Sequence, residues 1–128
     1  MDPIADMIIQ IKNAGLVGHT RVLIPFSNMK FAIANLLQKE GYLEKVETDI
    51  KKGKKALAVS LFIKKRLPKI QGTRRISKPS KRVYKKHFEI RPVRNGYGLL
   101  VVSTPKGVMS GYEAKKAHLG GEALFSIW

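Results

Sequence analysis

The sequence predicts an α+β protein of two small domains: an N-terminal α-β-α-β-β unit and a C-terminal, mainly antiparallel β unit with one short helix. Three observations predict it. Over residues 1–63, apolar stripes at helical spacing alternate with short strand-like runs. Between residues 64 and 72 the pattern breaks: three bases, then Leu67-Pro68, then Gly72, a composition suited to a connection. Over residues 73–128, short extended runs are separated by turn residues, and only one segment looks helical. A chain of 128 residues fits one ordinary domain or two very small ones.

Asp2-Pro3 opens the first helix, with Asp as N-cap and Pro at the first helical position. Ile4, Met7, Ile8 and Ile11 form one apolar stripe. Asp2 and Asp6 lie where the helix dipole favours negative charge, a structural role rather than a catalytic carboxylate pair. Gly15 is the expected left-handed cap. Arg21–Ile24 is a short strand stopped by Pro25. Ser27 caps a second helix whose buried stripe is Met29, Ile33, Leu36 and Leu37, and Gly41 ends it. Tyr42–Thr48 reads as a strand, Lys51–Lys55 as a charged turn, and Ala56–Ile63 as an alternating strand. In that last strand Leu57, Val59, Leu61 and Ile63 share one face, and Ala58, Ser60 and Phe62 the other.

Thr73–Ser77 is extended, Lys78-Pro79-Ser80 turns the chain, and Arg82–Lys86 is a further strand. Residues His87–Asn95 are irregular, and Gly98–Val102 is a buried strand. Ser103–Ser110 is expected to be a loop. Glu113–Ala117 is a helix of one or two turns ended by Gly120-Gly121, and Glu122–Trp128 is the last strand.

The net charge is +16, and its location says more than its size. Residues 51–94 hold 17 Lys or Arg and one acid, Glu89, so the rest of the chain is neutral in sum. Such a block is the footprint of a polyanion binder. An anionic membrane would call for a basic amphipathic helix, and this block is strand-like and loop-like, so no membrane partner is expected. The absence of cysteine excludes a disulfide scaffold, a thiol nucleophile and thiolate-held zinc. No apolar run approaches the roughly 18–20 residues that span a bilayer, and the acidic, amphipathic start is unlike a secretory signal. A soluble, cytoplasmic protein is expected.

Catalytic motifs are missing. His19, His87 and His118 are scattered without metal-ligand spacing. Gly96-Tyr97-Gly98 lacks the third glycine and following helix of a dinucleotide site. Gly53-Lys54 lacks the flanking residues of a phosphate-binding loop. No catalytic residue, metal or cofactor is expected. The stretch best suited to recognition is Ser103-Thr104-Pro105-Lys106-Gly107. Pro105 holds Thr104 extended, so both hydroxyls are expected to project from a stiff backbone. Gly107 leaves room for a partner's backbone. Hydroxyls, amides and one cation without acids suit phosphates, sugars and base edges. The basic residues Lys54, Lys55, Arg74, Arg75, Lys78 and Arg82, with Lys30 upstream, are candidate phosphate contacts. Among the aromatics near the block, Phe62, Tyr84, Phe88 and Tyr97, Tyr84 is the candidate for stacking on unpaired bases, while Phe62 equally suits the core.

From Gly98 to Lys115 the order is glycine, two residues, two aliphatics, Ser-Thr, two residues, Gly, two apolar residues, four residues, Ala-Lys. This is similar to the signature of the bacterial-type family of small-subunit ribosomal protein eight. Asp2–Met7, Ala32–Leu37 with Glu40-Gly41-Tyr42, Arg75–Pro79 with Arg82-Val83-Tyr84, and Gly120-Gly121-Glu122 with Trp128 resemble the same family in the same order. The resemblance implies an N-terminal α/β domain and a C-terminal, mainly β domain packed together. It implies a primary binder of small-subunit ribosomal RNA that supports assembly of the central domain and, through it, translation. It implies neighbouring small-subunit proteins as further partners, and a monomer outside the ribosome. Ser103, Thr104, Lys106 and Gly107 match the family's RNA-contacting loop, and Glu122 matches a neighbouring acid. Pro105 stands where the family has a third hydroxyl, Gln10 and Lys12 stand where many members carry arginine, and Ser80 replaces a usual glycine. A regulatory RNA binder repressing translation is the first alternative, and a small phosphate-handling enzyme the second.

Overall fold

Proline at the first helical position and a run of apolar residues three and four apart start the chain as a helix, α1 (Pro3–Leu16), in the computed structural model. Residues 2–61, 63–64, 67–68, 70–93 and 98–128 are described. They form two units, Pro3–Gln71 and Gly72–Trp128, the second joined by Asp2.

In the first unit, Met7, Ile8 and Ile11 of α1 are buried. Gly15 is not the cap: it is helical and buried, and Gly18 takes the left-handed position at φ 83°. The His19 amide donates to the Ala14 carbonyl (2.8 Å) and the Gly18 amide to the Gly15 carbonyl (3.2 Å). These two bonds close the helix as a Schellman motif. After β1 (Arg21–Pro25), Ser27 caps α2 (Asn28–Lys39), its Oγ accepting from the Lys30 amide at 3.1 Å. Gly41, at φ 84°, ends α2 as expected, with the Tyr42 amide donating to the Leu37 carbonyl at 2.8 Å. Ile33, Leu36 and Leu37 are buried, whereas Met29 in the first turn is exposed.

Strands β2 (Leu43–Lys51) and β3 (Lys54–Leu61) make a hairpin, and β3 is the central strand of an antiparallel sheet in the order β1-β3-β2. Its turn is only Lys52-Gly53, both at positive φ (53° and 76°), so the charged turn is shorter than expected. That geometry matches the right-handed twist of the strands, which is why they continue to the very corner. Ala58 is buried like Leu57 and Val59, because a central strand is covered on both edges and a small side chain is readily shielded. The stretch expected as a connection carries a two-stranded pair, β4 (Ile63–Lys64) with β5 (Leu67–Pro68).

The second unit is an antiparallel sheet in the order β6-β10-β8-β9, with β7 also paired to β10. Its strands are β6 (Thr73–Arg75), β7 (Tyr84–Lys85), β8 (Leu99–Thr104), β9 (Gly107–Ser110) and β10 (Gly121–Ile127). A 3-10 turn covers His87–Glu89, and α3 covers Gly111–Lys116. The segment expected as an open loop is therefore a tight hairpin, and β9 is a strand that the sequence reading did not anticipate. Ser110 then caps α3, its Oγ accepting from the Glu113 amide at 3.1 Å. The helix is closed by His118 at φ 57°, not by the two glycines. Gly120 and Gly121 serve close approach instead. A Cβ on Gly121 would stand 2.1 Å from the Ser103 carbonyl oxygen, and one on Gly120 2.7 Å from the Lys85 carbonyl oxygen. Ile90, Leu100, Val102, Ala114 and Ala123 form the core between α3 and one face of this sheet.

Candidate nucleic-acid interface

The β8–β9 hairpin pairs Thr104 with Gly107, leaving Pro105 and Lys106 as its corner. Pro105 has the fixed φ that the first corner position needs, and Gly107 (φ 118°) the freedom that the exit needs. The Thr104 hydroxyl does not project. It accepts from the Lys106 amide (3.2 Å) and donates to the Gly107 carbonyl (2.8 Å), and the residue is only 8% exposed. Thr104 thus staples the turn from inside. Among the described residues the partly exposed Ser103 hydroxyl has no hydrogen-bond partner, so it is the hydroxyl the hairpin offers outward. Pro105, Lys106 and Gly107 are exposed at the tip.

Register brings Ser103 beside further residues of the expected site. Ser103 pairs with Glu122 across β8 and β10, and Glu122 pairs with Tyr84 across β10 and β7. Directly opposed residues share a face, so hydroxyl, carboxylate and phenol form one row, with Tyr84 70% exposed. The Glu122 carboxylate is engaged within the unit. It accepts from the Ser77 hydroxyl and from Arg82 Nη1 (3.0 Å). Ser77, fully buried, also accepts from the Val83 amide at 3.1 Å. Glu122 therefore anchors the 77–83 segment and holds the Arg82 guanidinium next to the row. Burial pushes the Glu122 carboxyl up. The hydrogen bonds from Ser77 and Arg82, with the charges of Arg82 and Arg75, outweigh that effect and hold it below the usual carboxylate range.

The other expected bases are dispersed. Arg75 is bound to Asp2 (Nε to Oδ2, 2.8 Å; Nη2 to Oδ1, 3.3 Å) and to the Leu124 carbonyl, so its guanidinium is a fastener within the second unit. Arg74 and Lys78 stand on exposed positions. Lys78 and Lys81 exchange backbone hydrogen bonds (2.9 and 3.0 Å) around Pro79-Ser80, the turn the sequence predicts. Lys30, Lys54 and Lys55 belong to the first unit. Lys55 Nζ lies 4.1 Å from the Phe26 ring centroid, and Lys30 Nζ reaches the Pro25 carbonyl at 3.4 Å. Phe88 is exposed, whereas Phe62 and Tyr97 lie outside the described residues. The histidines are less scattered than their spacing suggests, since the His87 and His118 rings meet edge to face at 4.9 Å. No group of three metal-ligating side chains occurs among the described residues. No helix among them is long and apolar enough to cross a membrane.

The sequence reading did not single out Ser77, whose role depends on a partner 45 residues away. It also passed over Lys81, Lys85 and Arg91, for which the density of bases in residues 51–94 was the one available signal.

A family model described as Ribosomal protein S8 matches residues 2–128. The chain is 47% identical to the small ribosomal subunit protein uS8 of Vesicomyosocius okutanii subsp. Calyptogena okutanii over 99% of its own length and 97% of the relative's. The proteins of the same description from Chloroflexus aggregans and Mycoplasmopsis synoviae are each 46% identical, again over 99% of this chain and 97% of theirs.

Proposed function

The chain belongs to the ribosomal protein S8 family, and from that premise we propose that its Ser103–Gly107 hairpin, flanked by Arg82 and Tyr84, is the surface that reads small-subunit ribosomal RNA. The protein is a structural constituent of the small ribosomal subunit that binds ribosomal RNA in support of translation, and it is not an enzyme. The observation that carries the reading is the outward Ser103 hydroxyl, held in a row with Glu122 and Tyr84 on a hairpin stiffened by Thr104 and Pro105.

The chemistry suits a distorted RNA helix. A-form major grooves are too narrow for side chains, so a protein reads 2′-hydroxyls, exposed base edges and unstacked bases. Ser103 can donate to or accept from such groups. The exposed Pro105–Gly107 tip can pack along a sugar edge, and Tyr84 offers a ring for a splayed base. Arg82 supplies charge for a phosphate while Glu122 fixes its direction. Lys30, Lys54 and Lys55 supply affinity from the first unit by releasing counterions, without reading sequence. In this reading the protein acts in the cytoplasm as a monomer that binds RNA early, supports folding of the subunit's central domain, and meets its neighbouring proteins afterwards.

The test is a titration at several salt concentrations against an RNA fragment carrying the small-subunit helix, beside a regular duplex of equal length. The fragment should bind more tightly, and Ser103→Ala should lower its affinity about threefold to tenfold, the worth of one hydrogen bond. Neutralising Lys54 and Lys55 should flatten the salt dependence by roughly 0.9 per lost phosphate contact, leaving the preference intact. Equal losses on both RNAs for both changes would refute this division of labour.

A further inference from the structure

We infer that the second unit carries a separate cleft for single-stranded RNA, on the opposite face of its sheet from the Ser103 row. This goes beyond the hairpin reading and does not depend on it. The cleft has a volume of about 710 Å³, within the roughly 300–1,000 Å³ of ordinary ligand sites. Its floor begins with one cross-strand row, Arg74–Ser126–Leu100, on β6, β10 and β8. Side chains alternate along a strand, and Ser103 is three positions from Leu100 on β8, so the two sites use opposite faces. The same alternation separates Tyr84, in the Ser103 row, from Lys85, which lines the cleft.

Among the described residues the charged side chains of the lining have one sign: Arg74, Lys78, Lys81, Lys85 and Arg91 surround it, and no Asp or Glu contributes. Among the described residues none of these five side chains has an ion-pair partner. Arg75 also borders the cleft, but its guanidinium is held by Asp2 and Leu124. Cations gathered without acids require an anionic partner, and their spread around an opening suits a chain of phosphates better than one small ion.

The rest of the lining distinguishes single strand from duplex. Val83, Val93, Leu100 and Trp128 bring apolar residues between the cations. Trp128 is fixed there. Its backbone exchanges hydrogen bonds with Gly72 (3.0 and 3.1 Å), and a Cβ on Gly72 would come within 2.6 Å of the ring. A regular duplex hides its bases and presents only phosphate and sugar, leaving such a floor uncovered. A single strand can lay bases on apolar and aromatic surface while its phosphates meet the bases of the rim, the combination that general single-strand binders use.

Trp128 is the chain's one tryptophan, so its fluorescence reports on this cleft. The full-length protein is titrated with a ten-nucleotide oligouridylate, a ten-base-pair RNA duplex and a ten-residue oligoglutamate at several salt concentrations. The oligouridylate should change the Trp128 emission. A variant combining Arg74→Gln, Lys81→Gln and Arg91→Gln, all at exposed positions, should weaken that binding at least tenfold. It should also lower the salt slope by about 2, at roughly 0.7 per phosphate contact on a single strand. The same variant should keep its preference for the small-subunit helix, which tests the hairpin separately. Unchanged emission, an unchanged slope in the triple variant, or an equal response to duplex or oligoglutamate would each overturn the proposal.

Discussion

Two adjacent hydroxyls on the β8–β9 hairpin should respond in opposite ways to removal. Thr104→Val keeps the shape of the side chain and deletes both of its hydrogen bonds, the one accepted from the Lys106 amide and the one donated to the Gly107 carbonyl. A net bond contributes about 0.5–1.5 kcal/mol. Lys106 is exposed, so water can satisfy its amide and that bond sits at the low end. The expected loss is therefore about 1–2 kcal/mol, equivalent to roughly 4–8 °C in Tm per kcal/mol for a unit of this size melting by itself. Ser103→Ala removes a hydroxyl with no partner among the described residues, and its stability should stay within about 0.5 kcal/mol of the parent. Thermal and urea unfolding measure the first effect. Affinity for the small-subunit RNA helix, read at a temperature where both variants are folded, measures the second. Thr104→Val should be the less stable variant and Ser103→Ala the weaker binder. A Thr104→Val protein of parental stability that binds as poorly as Ser103→Ala would refute the inward assignment of Thr104.

Other expectations follow from the same geometry. Glu122 titrates below the usual carboxylate range, so its stabilising effect is complete above the ordinary glutamate value and fades as the pH falls through its depressed one. Glu122→Gln should be less stable than the parent at neutral pH, and the gap should shrink below about pH 4; a gap constant from neutral to acid pH would contradict this. Gly121→Ala should destabilise the second unit by about 1–3 kcal/mol or more, because its methyl would meet the Ser103 carbonyl rather than a flexible side chain; a Tm equal to the parent's would show that β8 can move away. His118→Gly should raise stability by roughly 1 kcal/mol by relieving a left-handed residue at the end of α3, less whatever the ring contact with His87 contributes; denaturant titration gives the sign.

Features encoded by near neighbours were legible in the sequence. Ser27, Gly41 and Pro3 mark the helix boundaries because capping is decided within four residues. Gly15 misled because it looks like a stop, yet the chain continues helically to Leu16 and reaches its left-handed residue only at Gly18. His118 was missed because non-glycine residues seldom take that conformation. The chain reversal at Pro105-Lys106 is legible from proline and glycine alone, but the direction of its hydroxyls depends on register. Pairing Thr104 with Gly107 turns one hydroxyl in and leaves the next one out. The Ser103–Glu122–Tyr84 row and the Arg74 cleft are assembled from strands far apart in sequence. Local composition carries the density of charge there, not its division between two faces of one sheet.

The ion pair between Asp2 and Arg75 also makes the second unit discontinuous along the chain. Its partners are 73 positions apart, and the whole of Pro3–Gln71 lies between them. Bringing such distant positions together costs loop-closure entropy, which grows only slowly with loop length. The Arg75 guanidinium also donates to the Leu124 carbonyl, 49 positions further on. One side chain thus closes two long loops at once.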